Sequence, residues 1–153
     1  MELASKKIQQ INKAPVLLLV EDNATDAKLL TKLFMENGFS GTFRWVSDGA
    51  QALDYLFRRG TFSEVALPEL VLLDLNLPKV DGREVLVQLA RHEETRRIPV
   101  IVLTTSSRKE DIKNCIEKGA ASFFTKPSEL HELRQLVERL KSVEFPRLGV
   151  GKT

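Results

Sequence analysis

A doubly wound α/β sheet of five parallel strands in the order 2-1-3-4-5 is the fold this sequence predicts, on three observations. Short apolar runs alternate five times with segments of helical period between Pro15 and Lys141, the pattern of a parallel sheet covered by helices on both faces. Glycines stand just past several of the helical segments, where left-handed C-caps are wanted. The residues of unusual chemistry follow the apolar runs, and a doubly wound sheet gathers its ligands at the carboxyl ends of its strands.

The elements follow in chain order. The strands are expected over Val16–Val20, Thr42–Val46, Leu70–Asp74, Val100–Thr104 and Ser122–Thr125, short runs whose Val, Leu and Ile content suits buried parallel pairing. Helices are expected over Ala24–Asn37, closed by Gly38; Gly49–Arg58, closed near Gly60; Gly82–His92; Lys109–Lys118, closed by Gly119; and Glu129–Lys141. In the last helix Leu130, Leu133, Val137 and Leu140 form one stripe, and in the fourth Ile112, Cys115, Ile116 and Gly119 form another, both expected to face the sheet. Trp45 is expected to pack in or beside the second strand. Residues 1–14 read as an N-terminal extension able to form a short helix or arm, 15–141 as the domain, and 142–153, with Pro146, Gly149 and Gly151, as a C-terminal tail.

Composition bounds the function. The 153 residues, 42% hydrophobic and 29% charged, predict one compact domain with a real core. A balance of 23 basic against 21 acidic residues leaves a net charge of +2, and no run of like charge marks a nucleic-acid tail. Nothing after Lys141 is long enough for a helix-turn-helix, so no nucleic-acid partner is expected. The lone Cys115 cannot form an internal disulfide, and no apolar run is long enough to span a bilayer. The expectation is a soluble, cytoplasmic protein without a membrane partner.

The chemistry lies in four places. Glu21 and Asp22 follow the first strand, Asp74 ends the third, Thr104 ends the fourth and Lys126 follows the fifth. Three carboxylates converging on one sheet edge repel one another, and a bound cation relieves this. Oxygen ligands, with no His or Cys at ligand spacing, favour Mg²⁺ over zinc. A metal on one side and an ammonium plus a hydroxyl on the other suit phosphoryl transfer, and a carboxylate can itself be the nucleophile, forming an acyl phosphate. The strand order places Asp74 centrally, as the attacking group. Asp22 has a second reading as a helix cap, and Phe123, beside Phe124, a second reading as core. His92 and His131 read as surface residues and Cys115 as core.

The stretches VLLLVEDN at 16–23, LVLLDLNLPKVDG at 70–82, IPVIVLTTS at 98–106 and GAASFFTKP at 119–127 resemble the receiver domains of two-component response regulators, with the flavodoxin-like fold. The resemblance covers about residues 15–141. It implies phosphorylation of Asp74 by a histidine kinase, Mg²⁺ held by Glu21, Asp22, Asp74 and the main-chain carbonyl of Asn76, and Thr104 and Lys126 on the phosphoryl group. It also implies a switch through Thr104 and Phe123, a cis bond between Lys126 and Pro127, and a homodimer formed on the fourth helix, fifth strand and fifth helix. The first acidic residue is Glu21 where Asp is commoner. The long segment Arg58–Glu69, together with DLNLPKVDGREVL at 74–86, looks most like the single-domain receivers that partner bacterial phytochrome kinases. The chain is thus expected to be a signalling phosphoacceptor, not an enzyme acting on a separate substrate. Two other functions compete. An aspartate-nucleophile phosphatase of the haloacid dehalogenase type wants a second aspartate where Asn76 stands, so its general acid is missing. A pseudo-receiver would use the fold for interaction alone.

Overall fold

The computed structural model describes residues 15–140, so the N-terminal extension, Lys141 and the C-terminal tail lie outside the described residues. Five parallel strands, β1 (Val16–Val20), β2 (Thr42–Val46), β3 (Leu70–Leu73), β4 (Val100–Thr104) and β5 (Ser122–Thr125), form one sheet in the order β2-β1-β3-β4-β5. The helices between and after them are α1 (Ala24–Glu36), α2 (Gly49–Leu56), α3 (Gly82–Arg91), α4 (Lys109–Glu117) and α5 (Leu130–Arg139). β1, β3 and β4 are paired on both sides and buried throughout, which is why they are almost purely aliphatic. Alternate side chains therefore enter two separate cores. Leu17, Leu19, Leu70, Leu72, Ile101 and Leu103 meet α1 and α5. Leu18, Val20, Val71, Leu73, Val100 and Val102 meet α2, α3 and α4.

Local chemistry sets the helix ends. The side chain of Asn23 accepts from the Asp26 N–H at 3.0 Å and caps α1, Asp48 accepts from Gln51 at 2.7 Å and caps α2, and Asp81 accepts from Arg83 at 2.8 Å and caps α3. Each such cap contributes about 1 kcal/mol. Because Asn23 caps α1, Asp22 is left free for the sheet edge. Gly119, at φ 109°, closes the α4 end as its position demanded.

Most boundaries agree with expectation to within two residues. The third strand stops at Leu73, with Asp74 just beyond it, although the Asp74 N–H still donates to the Val20 carbonyl at 3.0 Å. The second helix ends at Leu56 because Arg58 takes a left-handed φ of 53° and turns the chain. The insertion that follows is a packed lobe. It makes a 3-10 turn at Gly60–Phe62, lays the Phe62 ring on Tyr55 with centroids 5.2 Å apart, and offers the Ala66 carbonyl to the Tyr55 hydroxyl at 3.4 Å.

Two expected stripes are corrected. α4 buries Asp111 and Cys115 while Ile112 and Ile116 are exposed, because only its narrow inner side touches the sheet. α5 buries Leu133, Leu136 and Val137, with Leu140 beyond its end, while Leu130 points out from its first turn. Trp45 lies on edge strand β2 and is 46% exposed.

Candidate functional site

Every residue singled out at the strand ends sits at the carboxyl edge of the sheet. Glu21 continues β1, and its N–H donates to the Val46 carbonyl at 3.1 Å, so the ladder with β2 holds it in line. Asp74 continues β3 in the same way. Glu21, Asp22 and Asp74 each bring a carboxylate oxygen to within 4.8 Å of the others. Asn76 is exposed two residues on, and its main-chain N–H donates to Asp74 Oδ1 at 3.2 Å. Beneath this loop the chain runs very close to Gly82, where a Cβ would lie 2.4 Å from the Asp74 carbonyl oxygen and 2.7 Å from Leu75 Cα. Glycine is required there to let α3 start against the strand end.

From the other side comes Lys126. Its main-chain N–H donates to the Thr104 carbonyl at 2.6 Å, continuing the β4–β5 ladder. The ammonium donates to Glu21 Oε1 at 2.5 Å and Asp26 Oδ2 at 3.4 Å, and stands 3.8 Å from Asp74 Oδ2. The Lys126 and Asp74 side chains are only 9% and 11% exposed, so these charges act through little water. Burial pushes the Glu21 carboxyl up, against the pull of Lys126. Burial would lower the Lys126 ammonium, but the hydrogen bond and charge of Glu21, aided by Asp74 and Asp26, outweigh it and raise it. The expected cis bond is absent: no peptide bond among the described residues is cis, so Lys126–Pro127 is trans. The strand ladder and the carboxylates place the ammonium instead.

Thr104 is fully buried, and its Oγ1 has no hydrogen-bond partner. An unpaired buried hydroxyl costs about 1–3 kcal/mol, which makes it a donor waiting for an acceptor. Phe123 pairs with Val102 and Thr125 with Thr104, so Phe123 shares the sheet face of Thr104, one strand over and two residues back. It is half-buried against the core under α2, α3 and α4. Beyond Thr104, Ser106 Oγ donates to Asp111 at 2.6 Å and Arg83 Nη2 donates to the same carboxylate at 3.0 Å. Together with the bond from Thr125 Oγ1 to the Ser106 carbonyl at 3.0 Å, this ties the β4–α4 loop to α3, α4 and β5.

Several of these partners were missed in the sequence: Asp26, Asp111 and Arg83 carried no signal there, since each meets a partner across a gap in the chain. His92 and His131 are exposed, as expected, and Cys115 is buried.

The donor set fits a hard divalent cation, with three carboxylates converging and no nitrogen or sulfur ligand among them. The comparisons point the same way. The family model for the response regulator receiver domain matches residues 17–138. A probable methanogenesis regulatory protein, FilR2, of Methanothrix harundinacea is 45% identical over 126 residues, 82% of this chain and 81% of that one. Response regulator Rcp1 of a Synechocystis strain is 36% identical over 131 residues, 86% of this chain and 89% of that one. The crystal structure of its Mn²⁺-bound form matches with a TM-score of 0.82 at 34% identity, covering 87% of this chain and 96% of that one. The phosphorylated cyanobacterial phytochrome response regulator RcpA matches with a TM-score of 0.81 at 36% identity, covering 84% and 92%. With the strand order, the acidic cluster and the matched residues all in agreement, this chain belongs to the response regulator receiver domain family.

Proposed function

We propose that the chain works as a single-domain response regulator that accepts a phosphoryl group on Asp74 from a histidine kinase and signals through protein contacts. The observation that carries this reading is the setting of Asp74, a nearly buried carboxylate with an ammonium 3.8 Å away and two acidic neighbours within 4.8 Å. An Asp74 oxygen attacks the phosphorus in line while the bond from phosphorus to the donor imidazole nitrogen breaks, that nitrogen keeping the electron pair. Lys126 pairs with one phosphoryl oxygen, and Thr104 donates its unused hydroxyl to another. Glu21, Asp22 and Asp74, with the Asn76 carbonyl, would hold Mg²⁺, which when bound neutralises the carboxylates and the incoming phosphoryl charge. An aspartate phosphatase lacks support, because Asn76 stands where the general acid is needed.

Incubation with a small phosphodonor and Mg²⁺ is expected to add one acid-labile phosphoryl group, seen as a single mass increment. Asp74→Asn should abolish it, and chelation should suppress it. Undiminished labelling of the variant would overturn the assignment.

For the kinase, the likeness to Rcp1 and to the phytochrome response regulator RcpA supports a phytochrome donor. Phosphotransfer profiling against the histidine kinases of the source organism tests this, and a preferred donor that is not a phytochrome would overturn it. The proposed output is a homodimer on the face of α4, β5 and α5, where Ile112 and Ile116 offer exposed apolar surface for a symmetric contact. Movement of Thr104 toward the phosphoryl group, with Phe123 turning behind it, is the proposed switch.

A further inference from the structure

Glu21 is the most deeply buried acidic residue among the described residues. It is 2% exposed, and each of its polar groups has a partner. The N–H donates to Val46 at 3.1 Å, Oε1 accepts from Lys126 at 2.5 Å, and Oε2 accepts from the Asn23 N–H at 3.1 Å. Its main-chain carbonyl accepts from the indole Nε1–H of Trp45 at 2.7 Å.

The last bond is the unusual one. Three of the four follow from the strand ladder, the helix-start turn and the ion pair. The fourth reaches in from the edge strand through a side chain that remains 46% exposed, so burial of the ring does not account for its position. Its target matters because the Glu21 carbonyl and the Asp22 N–H belong to one rigid peptide plane. Fixing that carbonyl fixes the direction in which the chain leaves β1, and with it the departure of the exposed Asp22 carboxylate relative to that of Glu21.

We propose that Trp45 is a positioning residue for divalent-cation binding, acting through the Glu21–Asp22 peptide, and that its indole N–H senses whether the acidic site is filled. The inference rests on the cation-binding reading above. Without the indole bond, the Glu21–Asp22 peptide keeps only the indirect restraint of the flanking bonds from the Glu21 N–H to Val46 and from the Asn23 N–H to the Glu21 carboxylate, and the two carboxylates must be aligned at the moment of binding. Binding is expected to weaken by the lost preorganisation, bounded by the net worth of one neutral hydrogen bond, roughly three- to tenfold in affinity.

Trp45 is the only tryptophan, so the test has a single, unambiguous probe. The full chain is titrated with MgCl₂ by calorimetry and by ¹H–¹⁵N correlation spectroscopy of the one indole resonance. The resonance is expected to move saturably, with the same Kd as the heat. Trp45→Phe should bind Mg²⁺ about three- to tenfold more weakly, and replacement of Trp45 by benzothienylalanine, which keeps the ring's shape but lacks the N–H, should reproduce that loss. The neighbouring edge-strand variant Arg44→Ala should bind as the parent does. Unchanged affinity in the benzothienylalanine protein, or an indole resonance that ignores saturating Mg²⁺, would overturn the positioning role while leaving the cation site standing. A parent protein that takes up no Mg²⁺ at millimolar concentration would overturn both.

Discussion

Thr104→Val separates what the fold needs from what the site needs. Threonine and valine are nearly the same size, so the substitution leaves the packing of β4 intact and replaces a hydroxyl by a methyl. That hydroxyl is fully buried and unpartnered. Stranding it costs about 1–3 kcal/mol, and the replacement methyl adds apolar burial of its own. The variant should therefore be more stable than the parent by about 1–3 kcal/mol, an increase in Tm of roughly 3–10 °C for a domain of this size. The phosphorylated state should move the other way, because it loses a hydrogen bond to a charged acceptor worth about 1.5–3 kcal/mol. Its response to phosphorylation, read as the midpoint for a phosphoryl mimic such as beryllofluoride, should weaken roughly 10- to 100-fold. Thr104→Ser is the control: it keeps the hydroxyl and loses one methyl, so stability falls by about 1 kcal/mol while the mimic still binds. Thermal and urea unfolding with and without the mimic measure both terms. A Thr104→Val protein less stable than the parent would show that the hydroxyl has a partner in the resting fold, and the reasoning would fail.

Gly82→Ala places a methyl 2.4 Å from the Asp74 carbonyl oxygen, so the β3–α3 turn must shift. A loss of about 1–3 kcal/mol in urea unfolding is expected, together with slower labelling of Asp74, and normal values for both would refute the close approach. The Asp111 carboxyl is pulled down from 3.8 to about 2, first by the hydrogen bond from Ser106 and then by that from Arg83, with the charges of Arg83 and Arg108 adding to the pull. A depressed carboxyl contributes stability above its unfolded pKa and loses it as pH falls through its folded value. The parent should therefore lose stability between pH 3.8 and about 2 more steeply than Asp111→Asn does, and the two curves should converge at the acid end. Parallel curves in pH-dependent urea unfolding would remove Asp111 from the latch between α3 and α4.

The fold was legible because it depends on local pattern. The strands Val16–Val20 and Val100–Thr104 have the bounds expected, since a strand paired on both sides tolerates little but aliphatic residues, and the turn glycines punctuate the rest. Burial phase was less legible. A helix over a sheet buries a stripe, and periodicity gives the width and pitch of that stripe but not which side of an ambiguous helix it lies on. In α4 the run Ile112, Cys115, Ile116 reads as one face, yet the helix turns Cys115 inward with Asp111, a charged residue that no hydropathy argument places inside. Asp111 can be buried only because Ser106 and Arg83 satisfy it, and that pairing spans 28 residues between Arg83 and Asp111.

The candidate site divides along the same line. Glu21, Asp22, Asp74, Thr104 and Lys126 were legible because topology alone carries strand ends to one edge. Their supports were not. Trp45 to Glu21 crosses 24 residues and Lys126 to Asp26 crosses 100, and neither pair leaves a mark in local periodicity. The trans bond at Lys126–Pro127 belongs with them. A lysine aimed by its own backbone would be readable from the adjacent proline. Here the aim comes from the ladder bond to Thr104 and from three carboxylates supplied by β1, α1 and β3. The ammonium proposed to pair with the phosphoryl group is thus already balanced against Glu21, Asp26 and Asp74. Any negative charge added at Asp74 changes that balance directly, so in the proposed response Lys126 would take part as directly as Thr104.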